Sequence, residues 1–161
     1  MATYKIEGKW AVIFFAMYLA WITLEKTLGF HSTRIAYQPV VSVMVLIPSF
    51  LLYRSAIIDK RKKYFHDSIS FKQAFKSGMI LTFFVILLSP LSQMIAMNLL
   101  SPDFFTNMRN FAINTQGMSE LEANTRLNIR AYIIASIFGG LITGLIFSLL
   151  IAAFVRTKKS T

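Results

Sequence analysis

The chain has 161 residues, of which 55% are hydrophobic, and it carries 17 Lys and Arg against 7 Asp and Glu. Its mean hydropathy of +0.57 and the position of its charges outside long apolar runs are typical of a membrane protein. The chain contains no cysteine, which excludes disulfides, thiolate catalysis and Cys-ligated metals. Its length fits a single domain, so we predict one integral membrane domain over residues 1–161.

The first apolar run predicts a transmembrane helix over about residues 10–28. Its basic start resembles a signal peptide, but no small-x-small cleavage site closes the run before Glu25. We therefore expect this helix to be retained. Gly29 follows as a C-terminal cap.

A second helix is predicted over about residues 35–58. Pro39 lies in its first turn, where proline is tolerated. Pro48 lies well inside the helix and cannot donate to the carbonyl of Met44, so we expect a kink there.

A cytoplasmic connector over about residues 59–69 leads into a third helix, predicted over about residues 70–100. Ser70 and Gln73 have the spacing of a capping box, which marks the start of a helix. Pro90 predicts a second internal kink.

The loop over about residues 101–128 is the longest polar region, and its apolar side chains recur at helical spacing, which predicts an amphipathic helix. These side chains are Phe104, Phe105, Met108, Phe111 and Ala112. Gln116 and Gly117 end this helix. Ser119 and Glu122 form another capping-box pattern, which predicts a helix that continues through Arg130 into the membrane.

The fourth helix is predicted over about residues 129–155 and carries small residues at every fourth position. These are Ser136, Gly140, Gly144, Ser148 and Ala152. Such a stripe lets another helix backbone approach closely. Two interpretations stay open: packing within this chain, or a seam for another subunit.

Lys and Arg are distributed unequally between the predicted loops. The N-terminus, the stretch 54–78 that contains the connector, and the C-terminus hold two, seven and three of them, and the two remaining loops share five. The positive-inside rule then places both termini and the connector in the cytoplasm. The predicted fold is an all-α bundle of four transmembrane helices, N-in and C-in, with an amphipathic helical outer loop between helices 3 and 4. Because topology accounts for the basic balance, we expect no nucleic-acid partner.

Five stretches, taken in order, resemble a known family. They are LEKTLGFH (24–31), DKRKKYFHDSISFKQAFKSG (59–78), LSPLSQMI (88–95), SPDFF (101–105) and the Gly-rich last helix. They resemble the four-helix bacterial membrane proteins of domain-of-unknown-function family 4199, found mainly in Bacteroidota. The resemblance implies a multi-pass protein of the bacterial cytoplasmic (inner) membrane, and it implies no catalytic or ligand residue.

Polar residues in the predicted spans are the first candidates for a functional site. Glu25 can bind a proton or cation, since intramembrane ionisable groups are costly, or it can form an interfacial ion pair with Lys26, Arg34 or Arg130, which we favour. Gln93 and Asn98 can line a polar cavity or hydrogen-bond between helices.

The basic connector offers a second candidate site, because Lys and Arg near a membrane surface attract anionic lipid headgroups. The residues concerned are Lys60, Arg61, Lys62, Lys63, Lys72 and Lys76. His31 and His66 lie on opposite sides of the predicted membrane and cannot share a metal, so we expect no metal site and no cofactor. We find no phosphate loop, nucleophile elbow or paired carboxylates, and we expect no enzymatic activity.

The sequence therefore leaves three functional hypotheses. The first is a non-enzymatic accessory or scaffold subunit of a membrane complex, with a membrane protein partner or a second copy of the chain. The second is a small transporter or channel that uses Glu25 and Gln93. The third is a module that binds anionic membrane lipids.

Overall fold

The computed structural model describes residues 4–157. Lys158 and Lys159, which the topology prediction counts as cytoplasmic charges, lie outside the described residues. Within residues 4–157 every regular element is helical, which confirms the all-α prediction. The helices are α1 (Lys5–Thr27), α2 (Gln38–Val43), α3 (Leu46–Tyr64), α4 (Phe71–Ile95), α5 (Phe104–Gln116), α6 (Glu120–Arg126) and α7 (Ile129–Val155).

Four helical segments are long and apolar enough to cross a membrane, as predicted. They are Lys5–Thr27, Ile35–Tyr64, Phe71–Leu100 and Ile129–Val155. The second segment joins a 3₁₀ turn, α2 and α3, and the third joins α4 to the π-helical turn Ala96–Leu100. The orientation of the termini stays a prediction, because it depends on the charge bias of the loops alone.

Two of these helices extend beyond their predicted ends. Helix α1 begins at Lys5 rather than near residue 10, and α3 continues to Tyr64 rather than ending near residue 58. The prediction placed helix ends where the apolar runs end. The structure continues both helices through charged residues because Glu7 and Lys60, one from each extension, pair with each other in the interior.

The two prolines within the spans have different surroundings. Between α2 and α3 the helix is interrupted at Met44 and Val45, whose N–H groups bond three residues back, to the carbonyls of Val41 and Ser42. This interruption lies where Pro48 leaves the Met44 carbonyl without its usual helical donor. Helix α4, in contrast, continues through Pro90.

The capping box at the start of α4 has both expected bonds. Ser70 N–H donates to Gln73 Oε1 over 2.9 Å, and Gln73 N–H donates to Ser70 Oγ over 3.3 Å. Just before it, Ile69 pairs with Thr157 beyond the end of α7. Thr157 N–H donates to the Ile69 carbonyl over 2.8 Å, and Ile69 N–H donates to Thr157 Oγ1 over 3.0 Å.

The loop between the third and fourth spans is amphipathic, as predicted. Phe104, Met108 and Ala112 are buried along one face of α5, and Gly117 ends α5 in the left-handed conformation at φ 70°. The expectation that one helix runs from Ser119 into the membrane is wrong. Helix α6 ends at Arg126, and Asn128 Oδ1 then accepts a new bond from Ala131 N–H, which starts α7 as a separate helix.

The described residues group into two compact units. The first takes those within Met1–Phe15, Leu46–Leu88 and Phe138–Thr161, and the second takes those within Ala16–Val45 and Ser89–Ile137. The core of the first unit includes Tyr53, Ile57, Leu81 and Ile151. The core of the second includes Ile22, Ile35, Met97, Phe104 and Met108. The prediction of one domain is not tested by this grouping and stays a prediction.

Candidate functional site

The second unit contains a buried carboxylate near the end of α1. Glu25 is 1% exposed, and its Oε1 accepts from the indole N–H of Trp21 one turn earlier. This spacing of four residues places both side chains on one helix face. The indole therefore holds one carboxylate oxygen of Glu25 in place.

The turn after α1 folds His31 back onto Glu25. Gly29 has φ 83°, and its N–H bonds the Lys26 carbonyl while Phe30 N–H bonds the Glu25 carbonyl. These two bonds form a Schellman motif, whose left-handed position favours glycine. The predicted cap at Gly29 thus has a further consequence, because it brings the imidazole of His31 to the carboxylate of Glu25.

The His31 ring is held on both nitrogens. Nε2 lies 3.1 Å from Glu25 Oε2, and Nδ1 lies 2.8 Å from Ser101 Oγ. The ring also contacts Phe104 at 4.8 Å between centroids, and Asn107 Nδ2 donates to the His31 carbonyl over 2.9 Å. Residues from three parts of the chain thus fix the orientation of this histidine.

The short helix α2 supplies the remaining partner of Glu25. Ser42 Oγ lies 2.8 and 3.0 Å from the two carboxylate oxygens, and it accepts from Gln38 Nε2 over 2.7 Å. Pro39 stands at the start of α2, where its missing N–H leaves no helical bond unmade. The carboxylate thus contacts an indole N–H, an imidazole nitrogen and a hydroxyl.

A cavity of about 440 Å³ borders this cluster, and we call it the Glu25 cavity. Its polar and aromatic wall consists of Tyr18, Trp21, Glu25, Gln38, Ser42, Gln93, Phe111, Gln116 and Tyr132, and its apolar wall includes Met97, Met108 and Met118. All of these residues belong to the second unit. The volume falls within the range of small-molecule sites, about 300–1,000 Å³.

Gln93 contributes an acceptor to this cavity. The residue is 7% exposed, and its Oε1 has no hydrogen-bond partner within the described part of the chain. A buried acceptor without a partner is costly, so its position on a cavity wall is a mark of a binding site.

The structure therefore brings Glu25 and Gln93 to one cavity but leaves Asn98 exposed and outside its wall. The favoured expectation of an ion pair with Lys26, Arg34 or Arg130 is wrong. Lys26 donates instead to the Leu100 carbonyl, and the basic side chain that contacts Glu25 is the imidazole of His31, at 3.1 Å.

The first unit contains a second buried glutamate, which the sequence analysis missed. Glu7 Oε2 lies 3.1 Å from Lys60 Nζ, with the two side chains 2% and 5% exposed. Ser77 Oγ donates to Glu7 Oε1 over 2.8 Å, and the Lys60 ammonium lies 4.4 Å from the centroid of the Tyr64 ring. A cavity of about 250 Å³ borders this pair.

This pairing corrects one predicted lipid contact. Lys60 is buried and bonded within the protein, so it is not available to a membrane surface. Arg61 bonds the Val155 carbonyl over 3.4 Å and lies 3.9 Å from Asp67. The remaining basic residues of that prediction are exposed, namely Lys62, Lys63, Lys72 and Lys76.

The small-residue stripe of α7 contacts α4 of the same chain. In the first unit, a Cβ atom on Gly144 would lie 2.9 Å from Thr82 Cβ, and one on Gly78 would lie 2.7 Å from Ser148 Cβ. A Cβ atom on Gly140 would make an ordinary contact of 3.5 Å with Ile86 Cγ1, and Ala152 is buried. In the second unit, Ser136 Oγ lies 3.4 Å from Ser89 Oγ. Each glycine of the close pairs thus accommodates a side chain of the other helix.

Sequence reasoning missed Glu7, Trp21, His31 and Ser42 as parts of buried polar sites. The spacing of four between Trp21 and Glu25 was a usable signal. The approach of His31 to Glu25 follows from the Gly29 turn, but the contacts of Ser42 and Ser101 depend on tertiary packing.

Four helices that are long and apolar enough to cross a membrane indicate a multi-pass membrane protein. A family model described as "Protein of unknown function (DUF4199)" matches residues 9–157, so the chain belongs to this family. The resemblance noted in the sequence is therefore confirmed. No curated protein and no solved structure matches the chain.

Proposed function

We propose that this protein is a non-enzymatic membrane protein that binds a small solute in the Glu25 cavity, as a small transporter or channel. The observation that carries the proposal is the buried carboxylate of Glu25 on the wall of a cavity of about 440 Å³. Ionisable residues within transmembrane segments are costly and mark substrate and ion pathways. Glu25 lies within the first of the four spans.

The arrangement around Glu25 supports binding more than simple packing. An interhelical hydrogen bond needs only two matched groups, whereas this wall gathers a carboxylate, three glutamine side chains and three aromatic rings with polar atoms. A few placed polar groups in a mostly apolar wall are the usual composition of a ligand site.

The accessory-subunit hypothesis ranks second. Its main support was a small-residue seam for another subunit, and these residues contact α4 of the same chain. A role with a membrane protein partner or a second copy is now supported by the lack of catalytic motifs in the sequence and by the amphipathic helix α5.

We also propose the bacterial cytoplasmic membrane as the location, with both termini inside. The charge bias of the loops supports this orientation, and the described family resemblance supports the compartment. A reporter enzyme that is active only in the periplasm, fused within the loop after α5, tests the orientation. Activity there is expected, and activity only of a fusion at the connector would contradict it.

Binding of anionic lipid is a third candidate function, favoured by four exposed lysines of the first unit. Replacing Lys62, Lys63, Lys72 and Lys76 by Gln is expected to abolish cosedimentation with anionic lipid vesicles while membrane insertion is kept. Unchanged cosedimentation would exclude this function.

The cavity proposal is tested by narrowing the cavity. Met118 lines it, so Met118→Trp adds volume to its wall. Met94→Trp is the matched control, since Met94 belongs to the same unit, is exposed and lies outside the wall. Purified protein in liposomes is assayed for flux and binding with a panel of labelled cations, anions and neutral solutes.

We expect at least one solute to bind, and we expect Met118→Trp alone to weaken its binding or flux at least about tenfold. If no solute of any class binds or crosses, or if both variants behave as the wild type, the proposal fails.

A further inference from the structure

We infer that the Glu25 cavity selects small organic cations, that is, ammonium compounds with an apolar body. The inference rests on the solute-binding function proposed above and names the class of solute. Three features of the cavity carry it: the charge of the wall, the use of its hydrogen-bond donors, and its aromatic surface.

The charge of the wall is negative. Among the described residues that line the cavity, Glu25 is the only acid, and none is Lys or Arg. An anionic solute would therefore meet a buried carboxylate with no lysine or arginine to offset it. Burying an unpaired charge is expensive, so this wall disfavours anions and favours a cation that pairs with Glu25.

None of the described side chains that contact the Glu25 carboxylate is a lysine or an arginine. His31 can donate from Nε2 to Glu25 while Nδ1 accepts the hydroxyl proton of Ser101. A neutral imidazole satisfies both contacts. Trp21 and Ser42 are neutral donors as well. The cluster thus orients the carboxylate without adding a permanent positive charge.

One buried acceptor on the wall also favours a solute that donates. The indole N–H of Trp21 and the hydroxyl of Ser42 already donate to Glu25, so neither is available to a ligand. Gln93 Oε1, in contrast, is a buried acceptor with no partner in the described chain. The cavity therefore offers a buried acceptor, which an ammonium N–H or a hydroxyl of the solute can satisfy.

Aromatic rings complete the site. Tyr18, Trp21, Phe111 and Tyr132 all line the cavity. Cations bind favourably over aromatic faces, and a carboxylate beside such rings adds direct charge pairing. A small metal ion gains little from this wall, because it prefers several oxygen ligands at short range. An organic ammonium ion uses both the rings and the carboxylate.

The test compares two probes of nearly equal shape, choline and its uncharged isostere 3,3-dimethylbutan-1-ol. Binding of each to the purified full chain in a non-ionic detergent is measured by isothermal titration calorimetry. We expect choline to bind at least about tenfold more tightly than the isostere. The comparison uses the wild-type protein, so it decides the inference even if a variant fails to fold.

Variants then assign the selectivity to Glu25. Glu25→Gln is expected to reduce the choline preference to about onefold to threefold. Glu122→Gln is the matched control, since Glu122 belongs to the same unit, pairs with Arg126 and lies outside the cavity wall. It is expected to leave the preference unchanged.

Each other outcome overturns the inference in a recognisable way. Equal binding of the two probes shows a cavity that binds solutes without selecting cations. If neither probe binds, but a solute of another class does and Met118→Trp weakens that binding, the cation assignment is wrong and the proposed solute-binding function is kept. Binding of no solute at all removes both.

Discussion

Each compact unit buries a glutamate from α1, and the two carboxylates have different partners. In the first unit Glu7 pairs with the ammonium of Lys60 at 3.1 Å and accepts from Ser77. In the second unit Glu25 contacts His31 at 3.1 Å and accepts from neutral groups. Both glutamates are 1% exposed. The difference is therefore in the charge of their partners and not in burial.

This difference suggests different roles for the two glutamates. Glu7 forms an ion pair between helices, whereas Glu25 can bind a ligand. The ammonium of Lys60 lies 3.1 Å from Glu7 Oε2, so the chain itself supplies the counter-charge of this glutamate. The cluster at Glu25 has no such cation, and it borders the larger of the two cavities. Buried charge without a permanent counter-charge is a feature of functional sites in membrane proteins.

The largest loss of stability is expected when the Glu7–Lys60 ion pair is broken. Lys60→Met leaves the Glu7 carboxylate buried without a cation, and we expect the free energy of unfolding to fall by about 3–5 kcal/mol. Unfolding followed by circular dichroism in detergent measures this loss. Adding Glu7→Gln to Lys60→Met is expected to recover most of it, because the unpaired charge is then removed. If Lys60→Met lowers the free energy of unfolding by less than about 1 kcal/mol, the Glu7–Lys60 pair contributes little to stability.

An intermediate effect is expected in the second unit. His31→Leu removes one hydrogen bond to the Glu25 carboxylate, while Trp21 and Ser42 remain, so the expected loss of unfolding free energy is about 1.5–3 kcal/mol. A double-mutant cycle with Glu25→Gln separates the His31–Glu25 coupling from other effects of each substitution. If His31→Leu destabilises the protein more than Lys60→Met does, His31 supplies the main counter-charge of Glu25. The proposed difference between Glu7 and Glu25 would then be wrong.

The smallest effect concerns the helix contact of the first unit. Gly144→Ala places a Cβ atom 2.9 Å from Thr82 Cβ, and we expect it to lower the free energy of unfolding by about 1–3 kcal/mol through overpacking. Gly139→Ala is the matched control on the same helix, because nothing lies within 4 Å of its added atom. There the change is expected to stabilise by about 0.5–1 kcal/mol, the usual gain of alanine in a helix. Destabilisation by both variants to the same degree would show that the α4 contact is not the cause.

Much of the fold was predictable because membrane helices have a strong local signal. Long apolar runs gave the four spans, and the capping box at Ser70 and the glycines at 29 and 117 marked ends that the structure shows. Helix ends were wrong where charged residues continue a helix. Glu7 and Lys60 are 53 residues apart along the chain, and no local pattern shows that they pair.

The candidate site was predictable only in part, for a similar reason. Glu25 and Gln93 were selected because they are polar residues in apolar runs, and both line the cavity. Asn98 was selected on the same ground and is exposed. To distinguish Gln93 from Asn98, one must know which face of the third span is turned toward the protein interior. The π-helical turn at Ala96–Leu100 also alters the normal helical spacing there, so periodicity could not supply that knowledge.

The pairing of Thr157 with Ile69 affects how the chain can be joined to other proteins. A tag or fluorescent protein attached directly after residue 156 would replace Thr157. The two hydrogen bonds between Thr157 and Ile69 would then be lost or altered. One of these bonds uses the threonine hydroxyl, which few replacement residues provide. Attachment after residue 161 keeps both bonds. The choice of junction alone can therefore change how firmly the end of α7 is held beside the start of α4.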